Sequence, residues 1–297
     1  MKKIFFFIFS VNLLFGEIKV FFTPSKRTYI EFINLLKRAE NSIYISSYSI
    51  SQDFLKFLDN KKIDLKIICQ YGDLKFGKIK KFKNKGLFHS KFLIIDQKIV
   101  IITSANLTYS NFYKNHNNIV VINDRNLAKY LLKKFDSFWN DYTYTETFLD
   151  NKLEIWFSPE NECEKLIERE IKGSKKSINF ATFVFSDKKI AEKIIEKQKN
   201  GIEIRGIIES YNIFPYSVFY LLLSYNCKVR KSCISGFLHD KFFIIDREKV
   251  ITGSFNPTKS AKENVEISCL IKDKNIADIF YKEWQNLYLF KSIKEDI

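Results

Sequence analysis

The 297-residue chain has little glycine, proline and histidine, and the shortage of glycine and proline excludes several classes of protein. Only 9 Gly and 4 Pro residues are present, which excludes collagen-like repeats, glycine-serine linkers and most kinds of disorder. The 5 cysteines include no CxxC pair, so nothing supports a zinc finger or a redox motif. We expect the cysteines to be mostly buried, small apolar side chains.

Acidic residues are also in deficit, because 49 Lys and Arg face 34 Asp and Glu and leave a formal net charge of +15. Such a surplus favours a polyanionic partner, which is a nucleic acid, an anionic membrane or a phosphorylated substrate. An AT-rich genome would raise the lysine content without a functional cause. The clustering of the charge therefore carries more weight than its total.

The N-terminal segment has the order of features of a secretory signal. Lys2 and Lys3 precede an apolar run over residues 4–15, and Gly16 is small enough to precede a cleavage site. The run is shorter than the roughly 20 residues of a membrane-spanning helix. We predict a signal peptide over residues 1–16 and a secreted or periplasmic protein. An uncleaved membrane anchor and an apolar first strand are the alternatives.

The rest of the chain is written twice. The segment GLFHSKFLIID at 86–96 returns as GFLHDKFFIID at 236–246, and TSAN at 103–106 returns as GSFN at 253–256. Both pairs are separated by 150 residues, so they belong to one duplication. The period is far too long for a solenoid, whose repeats span about 20–50 residues.

Each copy alternates helical and strand-like segments. The spacing of apolar residues predicts a helix over about 26–40, a strand over about 42–49, and an amphipathic helix that Asp124 caps. This alternation predicts an α/β fold in which each half is a mixed β-sheet flanked by helices. The predicted halves are residues 17–148 and 149–297.

Two of the three histidines occupy the same position in the two copies. In a strand, the His-x-Lys spacing places the imidazole and the ammonium group on one face. The polar residues that recur with this spacing are His89, Lys91, Asp96, Ser104 and Asn106 in the first copy, and His239, Lys241, Asp246, Ser254 and Asn256 in the second.

A pair of such sets suits the chemistry of a phosphodiester. Two lysines and two asparagines can bind nonbridging oxygens and the charge that develops in the transition state. One imidazole can attack phosphorus while the other protonates the leaving oxygen. No carboxylate cluster typical of a magnesium or zinc site accompanies them, so we expect neither a metal nor a cofactor. The alternative is two structural histidines at the starts of strands.

The paired segments HSKFLIID–TSAN and HDKFFIID–GSFN resemble the HxKxxxxD…GSxN motifs of the phospholipase D superfamily. The resemblance implies two halves related by a pseudo-twofold axis, with one composite site that a monomer completes. It implies a covalent phosphohistidine, with His89 as nucleophile and His239 as general acid and base. It also implies catalytic roles for the recurring Lys, Asp and Asn residues, and substrate contacts for Ser104 and Ser254.

The two copies differ where the superfamily often has an acid that orients the imidazole. Glu266 occupies that place in the second copy, and Asn117 or its neighbour Asn118 occupies it in the first. We expect Glu266 to support a protonated His239 and Asn117 to orient a neutral His89 beside the substrate. The third histidine, His116, is predicted to lie on the surface.

The substrate is less well defined by the sequence. Residues 72–91 hold seven lysines, so Lys83 and Lys85 are candidates for binding a nucleic-acid backbone and Phe82 or Phe88 for stacking on bases. Core packing is the alternative for these rings.

The apolar segment 213–226 supports a different substrate, because on the surface it could dock on a lipid membrane. Its lack of a polar face favours a core helix instead. We therefore predict a metal-independent nuclease, with a phospholipase D acting on phospholipid headgroups as the alternative.

Overall fold

A computed structural model describes residues 16–59, 61–72, 75, 77–82, 86–160, 162–215 and 217–294. The predicted signal segment up to residue 15 lies outside the described residues, and so do Lys83 and Lys85.

The first half is a seven-stranded mixed sheet with four helices. Its strands are β1 (Ile18–Thr23), β2 (Ser42–Ser49), β3 (Asp64–Tyr71), β4 (Lys78–Lys81), β5 (Phe92–Ile95), β6 (Ile99–Thr103) and β7 (Asn117–Asn123). Its helices are α1 (Lys26–Lys37), α2 (Gln52–Leu55), α3 (Tyr109–Tyr113) and α4 (Arg125–Asn140). The strand order is β1-β7-β6-β5-β2-β3-β4, with β2, β3 and β4 parallel and the other pairs antiparallel.

The second half repeats this arrangement with an added strand at each edge. Its strands are β8 (Phe148–Leu149), β9 (Leu153–Ser158), β10 (Ser177–Thr182), β11 (Glu203–Ile208), β12 (Lys228–Ser232), β13 (Lys241–Ile245), β14 (Lys249–Gly253), β15 (Glu266–Ile271) and β16 (Ser292–Ile293). Its helices are α5 (Cys163–Gly173), α6 (Lys188–Lys199), α7 (Phe219–Ser224) and α8 (Lys274–Phe290). The order β16-β12-β11-β10-β13-β14-β15-β9-β8 matches that of the first sheet strand for strand, apart from β8 and β16. The predicted α/β fold of two mixed sheets is confirmed.

The buried apolar side chains form three clusters, of which one joins the two halves. The inner faces of both sheets share one core with α4 and α8, to which Tyr44, Phe242 and Trp284 belong. The outer face of the first sheet packs on α1 to α3, and that of the second on α5 to α7. The central strands are covered on both faces, which explains their unbroken apolar runs.

The two long central helices begin at equivalent aspartates. The carboxylate of Asp124 accepts hydrogen bonds from the amides of Asn126 and Leu127, and Asp273 caps α8 in the same way. The predicted cap at Asp124 is confirmed. The caps are 149 residues apart, so Trp139 near the end of α4 corresponds to Tyr288 in α8.

Two predictions of exposure can be compared with the structure: that for His116 was wrong, and the core-helix prediction for segment 213–226 agrees in part. His116 is buried rather than on the surface, because its backbone pairs with that of Leu238 in the other half. In segment 213–226, the side chains of Phe219 and Leu222 of α7 are fully buried, as a core helix requires, while Phe214 is exposed. Among the described residues, no helix combines the length and apolarity needed to cross a membrane.

Candidate active site

The two HxK segments meet at the boundary between the halves, where each pairs with backbone of the other half. The amide of His89 donates to the carbonyl of Val265 at 2.9 Å, and the amide of His239 donates to the carbonyl of His116 at 2.8 Å. Short parallel bridges accompany both contacts. The reciprocal pairing gives the pseudo-twofold relation between the halves a physical basis.

A glycine three residues before each histidine permits this close approach. A Cβ atom on Gly86 would lie 2.1 Å from the carbonyl oxygen of Glu263, and one on Gly236 would lie 2.3 Å from that of Lys114. Gly236 also has φ +114°, a backbone conformation that L side chains rarely adopt. These two glycines therefore let the segments cross between the halves.

His89 is oriented by a carboxylate of the opposite half. Its Nδ1 lies 2.9 Å from both carboxylate oxygens of Glu266, which is fully buried. The hydroxyl of Ser254 donates to the same carboxylate, and its oxygen accepts from the amide of Ile267 at 3.0 Å. Because Nδ1 is held by Glu266, Nε2 is the ring nitrogen left for substrate.

His239 is oriented by an amide of the opposite half. Its Nδ1 lies 2.8 Å from Oδ1 of Asn117. The Nδ2 group of Asn117 donates to the hydroxyl of Thr23 at 3.1 Å and to the carbonyl of Asn111 at 3.0 Å, which fixes the amide orientation. An amide oxygen only accepts, so Nδ1 of His239 carries the proton and Nε2 faces the site.

The predicted pairing of histidines with their orienting residues was therefore wrong. Glu266 supports His89 rather than His239, and Asn117 supports His239 rather than His89. The physical reason is the crossed backbone pairing, which places each HxK segment beside the β7 or β15 strand of the other half. The alignment of Asn117 with Glu266 was correct. Asn118 instead bonds to the buried Asp240 at 2.8 Å.

Three residues predicted to contact substrate are buried supports. Ser104, Ser254 and Asn117 have no exposed surface. The Ser104 hydroxyl donates to Oδ1 of Asn117 at 3.3 Å, just as Ser254 donates to Glu266. Asn117 contacts a histidine directly, and the two serines contact the residues that orient the histidines. The other predicted positions, Lys83 and Lys85, lie outside the described residues.

The two motif lysines lie beneath the histidines. Lys91 Nζ donates to the carbonyl of His89 at 2.8 Å, and Lys241 Nζ donates to that of His239 at 2.7 Å. Burial lowers the pKa of Lys91 well below its usual range and that of Lys241 to about 7, while the Glu266 carboxylate raises both pKa values. A bound anion would favour the charged form of both lysines.

Burial also favours neutral imidazoles in the free protein. Burial lowers the pKa of His89. The carboxylate of Glu266 acts in the opposite direction and raises that pKa. The pKa of His239 falls well below its usual value through burial and through the charges of Lys241 and Lys91. Without a carboxylate partner, His239 needs an anion bound at the site to gain a proton.

The motif asparagines have an unmet hydrogen-bonding capacity. The Oδ1 atoms of Asn106 and Asn256 are buried and have no hydrogen-bond partner among the described residues. The same orphan atom in both halves points to a symmetric requirement, since buried polar groups are nearly always satisfied. Their roles in substrate binding remain predictions.

The two motif aspartates lie away from the histidines, so their predicted catalytic role was wrong. Asp96 accepts from the amides of Glu40, Asn41 and Ser42 at 2.9, 2.7 and 2.9 Å. Asp246 accepts from residues 175–177 in the same way. Each follows its strand at the end opposite the HxK motif, about 16 Å from the motif lysine at the rise of an extended strand.

We expect Asp96→Ala and Asp246→Ala each to lower the free energy of unfolding by about 2–4 kcal/mol, because each removes a charged acceptor of three amides. Both positions have φ above +50°, which adds strain for alanine. Asparagine retains an acceptor and tolerates this backbone, so Asp96→Asn should lose less. Urea unfolding measures the loss, and turnover per folded molecule should stay within about twofold of wild type. Lost turnover in a fully folded variant would contradict this structural role.

Aromatic side chains that sequence reasoning missed flank the histidines. Tyr48 packs edge-on against His89 at 5.1 Å between ring centroids, and Phe183 packs against His239 at 4.8 Å. Exposed rings continue both walls, with Tyr71 next to Tyr48 and Phe237 next to Phe183. The repeat contained the signal for the inner pair, because Tyr48 and Phe183 hold equivalent positions in SIYISSYSI and SINFATFVF.

In the lysine-rich segment before His89, the structure contradicts the predicted base stacking at Phe88. Phe88 is fully buried and packs on Phe82 at 4.6 Å, so Phe88 belongs to the core and does not stack on a ligand. Among the described residues, no group of three or more His, Cys, Asp or Glu side chains is placed to hold a metal ion.

Comparison with known proteins places this geometry in a family. The family described as "Cardiolipin synthase, PLD-like domain" matches residues 32–139 and 167–288. A phospholipase D of Rickettsia prowazekii is 33% identical over 147 residues, which cover 49% of this chain and 71% of the relative. A mitochondrial cardiolipin hydrolase of Xenopus laevis is 30% identical over 118 residues, 39% of this chain and 56% of the relative.

Similarity to solved structures extends over both halves. The phosphatidylserine synthase of Haemophilus influenzae aligns with a TM-score of 0.68 over 93% of this chain and 87% of its own, at 14% identity, which shows a shared fold. The family match extends over most of the chain and includes both HxK motifs. The chain belongs to the phospholipase D superfamily, as its paired motifs predicted, and is a phosphodiesterase of the hydrolase class.

Proposed function

We propose that the chain is a metal-independent nuclease that cleaves single-stranded DNA or RNA through a phosphohistidine at His89. The observation that carries the proposal is the pair of aromatic walls on either side of the histidines. Tyr71 is 54% exposed and Phe237 is 40% exposed, so both rings can accept a base. Stacking on such rings contributes about 1–3 kcal/mol per base and tolerates any sequence.

The first chemical step is assigned to His89. The lone pair of Nε2 attacks phosphorus, a P–N bond forms, and the bond from phosphorus to the leaving oxygen breaks. The imidazole then carries a positive charge, which the carboxylate of Glu266 at 2.9 Å stabilises. His239 has only an amide at Nδ1, so its imidazolium is a stronger acid and gives its proton to the leaving oxygen.

The second step restores both histidines. Neutral His239 takes a proton from a water molecule, whose oxygen attacks phosphorus while the P–N bond to His89 breaks. Lys91 and Lys241 lie beneath the two imidazoles, where their charges can offset that of the transferred phosphoryl group. One chain contributes both histidines, so a monomer suffices for the proposed reaction.

A nucleic acid is favoured over a phospholipid on two counts. The net charge of +15 suits a polyanion. In segment 213–226, Val218, Phe219, Leu222 and Leu223 pack in the core, which leaves Phe214, Tyr220 and Tyr225 as separate exposed rings rather than one wholly exposed apolar run. The second candidate function is hydrolysis of phospholipid headgroups. It is favoured by the names of the relatives, a phospholipase D and a cardiolipin hydrolase.

We expect single-stranded oligonucleotides to be cut in EDTA, with phosphatidylcholine, phosphatidylethanolamine and cardiolipin vesicles left intact. The Tyr71→Ala/Phe237→Ala variant should raise KM about tenfold or more, because two stacking platforms are lost. Tyr225→Ala is the matched control, since its ring is 41% exposed but contacts Lys199 on another surface.

Released headgroup together with intact DNA would overturn the nuclease proposal in favour of the phospholipase. Full dependence of cleavage on added divalent metal would contradict the mechanism. Equal KM changes in the control and the double variant would contradict the role of the aromatic walls in substrate binding.

We also propose that this nuclease is exported and acts as a secreted or periplasmic protein. The order of charge, apolar run and Gly16 at the N-terminus supports an export signal. N-terminal sequencing of the protein recovered from periplasm and medium tests it. A new terminus at Glu17 is expected, and a full-length chain confined to the cytoplasm would contradict it.

A further inference from the structure

A second groove lies at the end of the first sheet away from the histidines. It occupies about 1000 Å³ between the turn that follows β5 and the exposed side of α4. We call it the rear groove; the residues of its lining that the argument uses are Lys66, Arg125, Lys129, Lys133, Trp139 and Tyr142. Its volume suits a ligand of nucleotide size.

Three cations line one side of the rear groove at helical spacing. Arg125, Lys129 and Lys133 follow each other every four residues along α4, and all three are exposed. Among the described residues, none of the three forms an ion pair with a carboxylate. Like charges at this spacing repel each other and weaken a helix, so a bound anion would relieve a built-in cost.

The acids of the rear groove are already engaged. The carboxylate of Asp96 accepts from three backbone amides, and that of Asp136 accepts from the Tyr142 hydroxyl at 3.0 Å. Among the described residues, neither forms an ion pair with a cation of α4, and the four cations of the lining outnumber these two acids. The lining therefore retains an excess of positive charge.

Aromatic rings line the same groove. Trp139 stacks on Phe135 with centroids 6.0 Å apart and planes at 17°, and the ammonium of Lys66 lies 5.7 Å from the Trp139 ring. Tyr142 is 47% exposed. Cations beside partly open aromatic rings are the combination that holds a phosphate and its base together.

The equivalent surface of the second half has an ion pair at the position that corresponds to Lys129. Lys129 corresponds to Asp278 in α8, and the carboxylate of Asp278 accepts from Nη2 of Arg247 at 2.7 Å. Arg247 also lies over the ring of Tyr281 at 4.1 Å. The first copy therefore has three cations in succession along its helix, whereas the second has an ion-paired acid between Lys274 and Lys282.

We propose that the rear groove binds a nucleotide unit, with its phosphate on the cations of α4 and its base against Tyr142 and Trp139. The unit can belong to a free nucleotide or to a nucleic-acid strand. This inference goes beyond the proposed nuclease, because the rear groove contains no catalytic residue and lies at the opposite end of the sheet. Binding there does not require cleavage.

The test measures binding of thymidine 5′-monophosphate and of a twelve-residue oligothymidylate in EDTA. The His89→Ala background prevents cleavage. Calorimetry reports binding, and so does tryptophan fluorescence, to which Trp139 contributes with the chain's two other tryptophans. The test variant is Arg125→Glu/Lys133→Glu. Its matched control, Lys274→Glu/Lys282→Glu, makes the same charge change at the corresponding exposed positions of α8.

We expect the test variant to bind at least one ligand about tenfold more weakly and the control to stay within about twofold. Loss for the mononucleotide alone identifies a free nucleotide as ligand, and loss for the oligonucleotide identifies a strand. Equal weakening in both double variants would overturn the proposal, because it would show only nonspecific attraction. Absence of binding, or no change in either variant, would overturn it too. Nuclease activity in the wild-type background is scored separately, so failure of one proposal does not decide the other.

Discussion

We expect His239→Ala to release one equivalent of p-nitrophenol from a p-nitrophenyl phosphodiester and then stall. This leaving group departs without a proton, so the first step needs His89 but not the acid. Hydrolysis of the P–N bond still needs His239 to activate water, and its loss should slow steady turnover by about 10²–10⁴-fold. A stopped-flow measurement of the burst amplitude reads both steps.

His89→Ala is the companion variant. It should show no burst and lose turnover on every substrate by about 10⁴-fold or more, as expected when a nucleophile is removed. The two variants make matched changes at positions 150 residues apart in the duplicated motif. A burst in His89→Ala with none in His239→Ala would reverse the assigned roles.

The crossed support of the histidines gives the second large effect. Glu266→Gln removes the charge that stabilises the His89 imidazolium, and we expect kcat/KM to fall about 10²–10³-fold. Asn117→Ala leaves that charge in place and removes only the neutral acceptor of His239. Its loss should be smaller, and largest for substrates with poor leaving groups.

The pH profile separates an electrostatic role of Glu266 from a structural one. Neutral His89 is the active form of the nucleophile, so activity falls as pH drops through its pKa. Glu266 raises that pKa, and therefore Glu266→Gln should move the acidic limb of kcat/KM to lower pH. An unshifted limb, or a shift to higher pH, would contradict the assigned contact. Circular dichroism checks that the buried substitution leaves the fold intact.

Much of this site could be predicted because the chain is duplicated. The repeated spacing of His89 and His239 identified both imidazoles and both lysines, and the alignment of Asn117 with Glu266 was correct. The apolar runs KFLIID and KIVIIT predict two adjacent buried strands, which β5 and β6 confirm.

The partners of these residues could not be predicted, since they depend on contacts between the halves. Because the backbone of Phe88 pairs with that of Val265, Glu266 lies beside His89 of the other half rather than beside His239 of its own. A motif also does not reveal which end of a strand its members occupy. Asp96 belongs to the same sequence motif as His89, yet it caps the opposite end of the sheet.

The rear groove was invisible in the sequence for a related reason. Its cations are spaced along one helix, and lysines at such spacing are ordinary on a solvated surface. Comparison with α8 distinguishes them from an ordinary surface. Asp278 and Arg247 form an ion pair in the second half, whereas the equivalent residues of the first half, Lys129 and Gln97, do not.

The central claim is a covalent phosphoryl intermediate on His89 that is formed without metal. Rapid quenching of wild-type protein with substrate in EDTA, into alkali to preserve the phosphoramidate, followed by peptide mass spectrometry, tests it most directly. The account predicts the added phosphoryl group on the peptide that contains His89 and its build-up in His239→Ala. The group on His239, or turnover with no labelled histidine at any time, would contradict it.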